Sequence, residues 1–215
     1  MNLIPAIKKN EELIAEMDSL LNGDTQFHIW WLGQSGFLLQ WKGKRVLIDP
    51  YLSDSLTKKY VTTDKPHTRI SELVIRPELL QNISVVTSSH NHTDHLDAET
   101  LILIFKNNPS IKFIIPEANR SFVAERVKCE KEFPVGLNDK QSVTIDGFTF
   151  NGIPAKHNEI DRDENGKCKY MGFVIQFSGY TIYHSGDTLL FDEMVELLKP
   201  FKIDVALLPI NGNKP

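Results

Sequence analysis

At 215 residues the chain lies within reach of one hydrophobic core, and 41% hydrophobic with 24% charged residues excludes a disordered, collagen-like or coiled-coil protein. A formal net charge of −4 gives no global positive field, so no nucleic-acid partner is expected. Cys129 and Cys168 stand far apart, which suggests neither a disulfide framework nor a cysteine zinc site. The opening MNLIPAIKKNEELIAEM has no apolar stretch after a basic start, and no run reaches the ~18 apolar residues of a membrane span. The expectation is a cytoplasmic protein without membrane contact, one domain over 1–215, with an N-terminal helical segment in 1–25 and the remainder over 26–215.

Apolar positions at Ile7, Ile14, Met17 and Leu21 recur at helical spacing and predict a surface helix over 6–21, stopped by Asn22-Gly23. QFHIWWLG, GFLLQW and RVLID then read as short strands joined by glycine-bearing turns, an antiparallel region. Residues 50–71 lack periodicity and form a long loop, a candidate wall for a site. ISVVTSS, DAETLILIFKNN and IKFIIP give strand, helix and strand, the order of a βαβ unit, with Asp97 starting the helix. A helix near 117–127, a strand pair around Asp146-Gly147, a polar loop over 157–169, a hairpin turning at Ser178-Gly179, a helix in DEMVELLKPF and a strand in DVALLPI complete the chain. Helices alternating with two strand-rich regions predict an α/β protein with two sheets and helices outside.

The chemistry concentrates in SSHNHTDHLD. His90, His92, Asp94 and His95 place four metal-ligand types within six residues directly after an apolar strand. On an extended backbone residues two apart share a direction, so His90 and His92 can serve one cation. Asp94 and His95 follow where the chain turns toward the Asp97 helix, and can face a second. Imidazole and carboxylate donors suit zinc, iron or manganese, and Asp49 can orient them through hydrogen bonds. Isolated histidines are usually solvated or satisfied locally, but three with an aspartate at these offsets favour metal. His157 in IPAKH and Asp187 in HSGDT are two more candidates at strand ends, although a glycine-flanked aspartate also caps turns.

HNHTDH at 90–95, His157 some sixty residues on, and Gly186-Asp187-Thr188 thirty further together resemble the metallo-β-lactamase superfamily, with WLGQSGFLL and VLIDPYLS matching its opening hairpin and Asp-bearing turn. IDPYLSDS, PHTR at 66–69 and YHSGDT are most similar to the branch of L-ascorbate-6-phosphate lactonase and related metal-dependent hydrolases. The resemblance implies an αββα four-layer sandwich of two mixed sheets. It implies two divalent cations, zinc or manganese. The first is held by His90, His92 and His157, and Asp187 bridges to a second held by Asp94 and His95. A hydroxide shared between the ions is the implied nucleophile, with Asp94 as the catalytic group that orients it and passes its proton on. The implied substrate is a small ester, a lactone or a phosphorylated metabolite; the alternatives are a phosphodiesterase or nuclease, or a non-catalytic metal-binding subunit. The third alternative arises because the superfamily pattern ends with one more histidine, and none follows His184. The second cation is therefore expected to be weakly held, completed by water or by a neighbouring chain, and the sequence to Pro215 to be most of a catalytic domain. Homo-oligomerisation stays open.

Redox-active diiron relatives resemble H-x-E-x-D, and no glutamate lies among these ligands, so hydrolysis is favoured. Gly33-Gln34-Ser35-Gly36-Phe37 fails the G-x-S-x-G nucleophile pattern at its last position, and H-E-x-x-H is absent. His28 is expected to be a structural or surface histidine, His184 to hydrogen-bond locally, Arg69 to be a solvated loop charge, and Trp30, Trp31 and Trp41 to pack in core or sheet.

Overall fold

The computed structural model describes residues 3–21 and 26–210, so the expected Asn22-Gly23 helix stop lies outside the described residues. Two compact units emerge, one drawn from Met1–Thr87, His92–Lys112 and Glu125–Cys129, the other from Ser88–Asn91, Phe113–Ala124 and Glu130–Pro215. The eleven strands described lie in two mixed sheets, of six and five strands, with helices between them in the chain. That is the α/β architecture expected.

In the first unit the leading helix, α1 (Asn10–Ser19), is shorter than the sequence spacing predicts, and its buried side chains are Leu13 and Met17. Ile7 lies before the helix and is 98% exposed, while Leu13 is buried in place of the expected Ile14 and Met17 keeps its expected place. The cause is polar docking. Gln40 donates to the Met17 carbonyl at 2.9 Å, the Trp30 indole to Glu16 at 2.9 Å, and the fully buried Arg45 reaches both Gln40 and Asp18. A buried guanidinium is tolerable because these acceptors satisfy it.

β1 (His28–Gly33), β2 (Gly36–Trp41) and β3 (Lys44–Ile48) pair antiparallel, as expected, and β4 (Ile83–Thr87) joins β3 in parallel. The expected long loop contains α2 (Ser55–Tyr60). Arg69 does not stay solvated, because it pairs with Asp54 at 3.1 Å and packs over the Tyr51 ring. Trp31, expected to pack in core or sheet, lies on β1 and is 60% exposed, with its indole N–H donated to the Gln34 carbonyl at 2.9 Å. α3 (Ala98–Asn107) starts after Asp97, whose carboxylate accepts hydroxyls from Ser55 and Thr100 instead of capping the helix backbone.

In the second unit β5 (Lys112–Pro116) and β6 (Val135–Leu137) run parallel, with a short 3₁₀ turn (Glu117–Asn119) and α4 (Arg120–Val127) between them in sequence. β7 (Ser142–Ile145), β8 (Phe148–Pro154), β9 (Met171–Phe177) and β10 (Tyr180–His184) form an antiparallel meander, and β11 (Val205–Leu207) adds to β10 in parallel. Both expected hairpin turns form, with Asp146 and Ser178 at positive φ before a glycine. β9 is buried at all but one of its seven positions, consistent with an apolar run covered on both faces. The last helix, α5 (Met194–Leu198), is shorter than its sequence window because Pro200 cannot continue it. Ile153, Val174, Tyr183, Phe191 and Met194 form a buried cluster against it.

Candidate metal centre

The ligand-rich segment is not extended. β4 ends at Thr87, residues 90–95 run through bends and turns, and the His92 carbonyl accepts the N–H groups of His95 and Leu96 at 3.1 and 2.8 Å. A turn separates the expected ligands into two local arrangements better than an alternating strand would.

Asp94 and His95 belong to the first arrangement. His95 is buried, and its Nδ1 lies 2.7 Å from Asp49 Oδ2. An ionised carboxylate only accepts, so the proton of this bond sits on Nδ1 and the Nε2 lone pair is left to face outward. Nε2 lies 3.7 Å from Asp94 Oδ2. Two donors about 2.1 Å from one ion lie at most about 4.2 Å apart, so this pair fits a shared cation. Asp49 is itself fixed: Thr87 donates its hydroxyl to Oδ1 at 2.9 Å, and its backbone holds a φ of +42°. The expected orienting role of Asp49 thus has its geometry. Sequence reasoning missed two other contacts, Gln34 Nε2 to Asp94 Oδ2 at 3.2 Å and Ser35 Oγ to the Asp94 carbonyl at 2.6 Å. The signal for them in the sequence is the polar pair Gln34-Ser35 held between two glycines.

The second arrangement centres on His90. Its Nδ1 lies 3.0 Å from Ser89 Oγ, and its Nε2 lies 3.8 Å from Asp187 Oδ2. At that separation this pair too fits one shared cation, and imidazole with carboxylate suits zinc, manganese or iron. The donor set therefore fits a divalent cation. His157 lies farther off; its ring is 5.9 Å from that of His90, tilted by 48°. Tyr170, unforeseen from sequence, packs against both, stacked on His157 at 5.0 Å and 5.1 Å from His90. Burial raises the Tyr170 phenol above its ordinary value, with the Asp161 and Asp187 carboxylates adding to it. Asp187 follows Gly186, whose φ of +58° brings the backbone within 3.1 Å of Ser89, measured from the position a Cβ would take. Both glycine flexibility and close approach are required there. His184, expected to hydrogen-bond locally, is buried at the end of β10.

Two mixed sheets with flanking helices, and histidines and aspartates gathered after β4 and β10, define a metal-binding hydrolase-type fold. Residues 28–215 match the Beta-lactamase superfamily domain, and the chain belongs to that family. A UPF0173 metal-dependent hydrolase of Saccharolobus solfataricus is 30% identical over 182 residues, covering 85% of this chain and 70% of that protein. Among solved structures, a metallo hydrolase of the archaeon Ignicoccus hospitalis matches with a TM-score of 0.58 at 25% identity, over 86% of this chain and 71% of that one. An isothiocyanate hydrolase from Delia radicum gut bacteria matches with a TM-score of 0.57 at 25% identity, over 80% of this chain and 67% of that one. The expected superfamily is thus shown, and so is its fold. No helix among the described residues is long and apolar enough to cross a membrane.

Proposed function

We propose that the protein is a metal-dependent hydrolase that cleaves a small ester or lactone, including phosphorylated ones, with Asp94 as its proton-handling group. The observation that carries this reading is the approach of His90 Nε2 to Asp187 Oδ2, 3.8 Å apart. The names of the relatives, metal-dependent hydrolases and an isothiocyanate hydrolase, support attack of water on an electrophilic carbon. His90 and Asp187 hold one cation, with His157 beside them; Asp94 and His95 hold a second, zinc or manganese. A bound divalent cation supplies Lewis acidity toward the substrate oxygen and makes water a better nucleophile near neutral pH.

The chain's own groups then divide the work. Asp49 keeps the proton of His95 on Nδ1 and so keeps Nε2 a donor. An Asp94 carboxylate oxygen accepts a proton from the attacking water and returns it to the alkoxide that leaves the acyl carbon. Water thereby adds across the C–O bond, giving an acid and an alcohol, or one hydroxy acid when the substrate is a lactone.

The test compares turnover of p-nitrophenyl acetate, an aliphatic γ-lactone and bis-p-nitrophenyl phosphate by chelator-treated protein resupplied with zinc or manganese. Ester or lactone turnover that returns with the metal and is lost at least a hundredfold in His90→Ala is the expected result. Turnover indifferent to metal, or a phosphodiester preferred over both carbon esters, would overturn it.

A further inference from the structure

We infer that Gln34, in the turn between β1 and β2, is a positioning residue that sets the geometry of the Asp94 carboxylate toward its cation. The inference rests on the reading above that Asp94 and His95 take a metal ion. Gln34 donates its side-chain amide to Asp94 Oδ2 at 3.2 Å, the same oxygen that lies 3.7 Å from His95 Nε2. One hydrogen bond thus determines how that oxygen faces the imidazole.

The turn is built for this task at a conformational cost. Gln34 holds a φ of +50°, a left-handed backbone that a side chain bearing a Cβ adopts reluctantly. Glycine would occupy the position without strain, and what glutamine adds there is the amide that reaches Asp94. The backbone is pinned from both directions. The Trp31 indole donates to the Gln34 carbonyl at 2.9 Å, and Ser35 Oγ reaches the carbonyls of Asp49 at 3.2 Å and Asp94 at 2.6 Å. Trp31 remains 60% exposed in doing so, which explains why an indole stands in water on β1. Indole, glutamine and serine therefore connect one hairpin turn to the two backbone segments that present Asp49, Asp94 and His95.

An oriented amide on a carboxylate ligand acts as other outer partners of metal ligands do, whose loss weakens metal binding roughly tenfold to a hundredfold. Gln34→Gly separates this role from a structural one, because it deletes the amide while relaxing the backbone. Gln34→Met deletes the amide and keeps the side-chain volume. Zinc titration against a competing chelator measures both binding events, and Asp94→Asn identifies the event at Asp94 and His95. The expected result is that both Gln34 variants weaken that event roughly tenfold to a hundredfold. The other event should stay within about twofold, and Gln34→Gly should melt no lower than the parent without metal.

If the parent binds two ions and the Asp94 event moves by less than about twofold in both variants, the inference fails while the reading of the site stands. Equal weakening of both events, with a lower metal-free melting temperature in Gln34→Gly, overturns it in favour of a merely structural turn. A parent whose binding is unchanged by Asp94→Asn overturns the reading of Asp94 as a ligand, and the inference with it.

Discussion

The two ligand groups are held by different physics. Asp94 and His95 are oriented by directional hydrogen bonds, one donated by His95 to Asp49 and two accepted by Asp94 from Gln34 and Ser35, each at 3.2 Å or less. His90 and His157 are oriented by ring packing on Tyr170, and Asp187 by the close approach of Gly186 to Ser89. A hydrogen bond fixes a single atom and a protonation state, whereas packing fixes a plane and tolerates sliding. The first group is therefore expected to fail through chemistry that preserves shape, and the second through changes of shape.

The largest effect should come from Gly186→Ala. A Cβ there would lie 2.6 Å from the Met171 carbonyl oxygen and 3.0 Å from Ser89 Cβ, at a φ of +58°. Left-handed strain and a backbone clash together should cost about 2–4 kcal/mol, read as a lower denaturant midpoint, and the His90 cation should be lost with it. A midpoint unchanged in this variant would mean that the Gly186 turn is soft and that packing does not set the second group.

Asp49→Asn leaves the shape intact and should act only on the first group. The amide can present N–H to His95 Nδ1, which moves the imidazole proton to Nε2 and removes that donor. Metal affinity at Asp94 and His95 should fall roughly tenfold to a hundredfold, in a chelator competition that leaves the His90 event in place. Equal loss of both events would erase the contrast between the groups.

The smallest effect sharpens the role of packing. Tyr170→Phe keeps the ring and should leave metal affinity within about twofold, while Tyr170→Leu, which removes the stacked plane, should weaken the His90 event by roughly three- to tenfold, consistent with an aromatic pair worth about 0.5–1.5 kcal/mol. A larger loss in the phenylalanine variant would assign the work to the hydroxyl instead.

Much of the fold is legible from local pattern. The strand-helix-strand passage from Ile83 to Pro116 and the hairpins at Asp146-Gly147 and Ser178-Gly179 follow from apolar runs and turn chemistry that act over a few residues. The identities of the ligand candidates are legible for the same reason, since HNHTDH is dense enough to stand out without context. What escaped was everything set by a distant partner. The face α1 buries is chosen by Gln40 and Arg45, the exposure of Trp31 by the Gln34 carbonyl, and the inward turn of Arg69 by Asp54 and Tyr51.

The sequence by itself determined which chemistry this protein can hold, because residue type alone makes imidazole and carboxylate metal donors. Only the tertiary structure decided which donors meet. His90 finds Asp187 from almost a hundred residues away, His95 finds Asp49, and Gln34 finds Asp94. Such pairings leave no periodic trace in sequence, since they are fixed by how strands and turns bring remote backbone together rather than by the preferences of neighbouring residues.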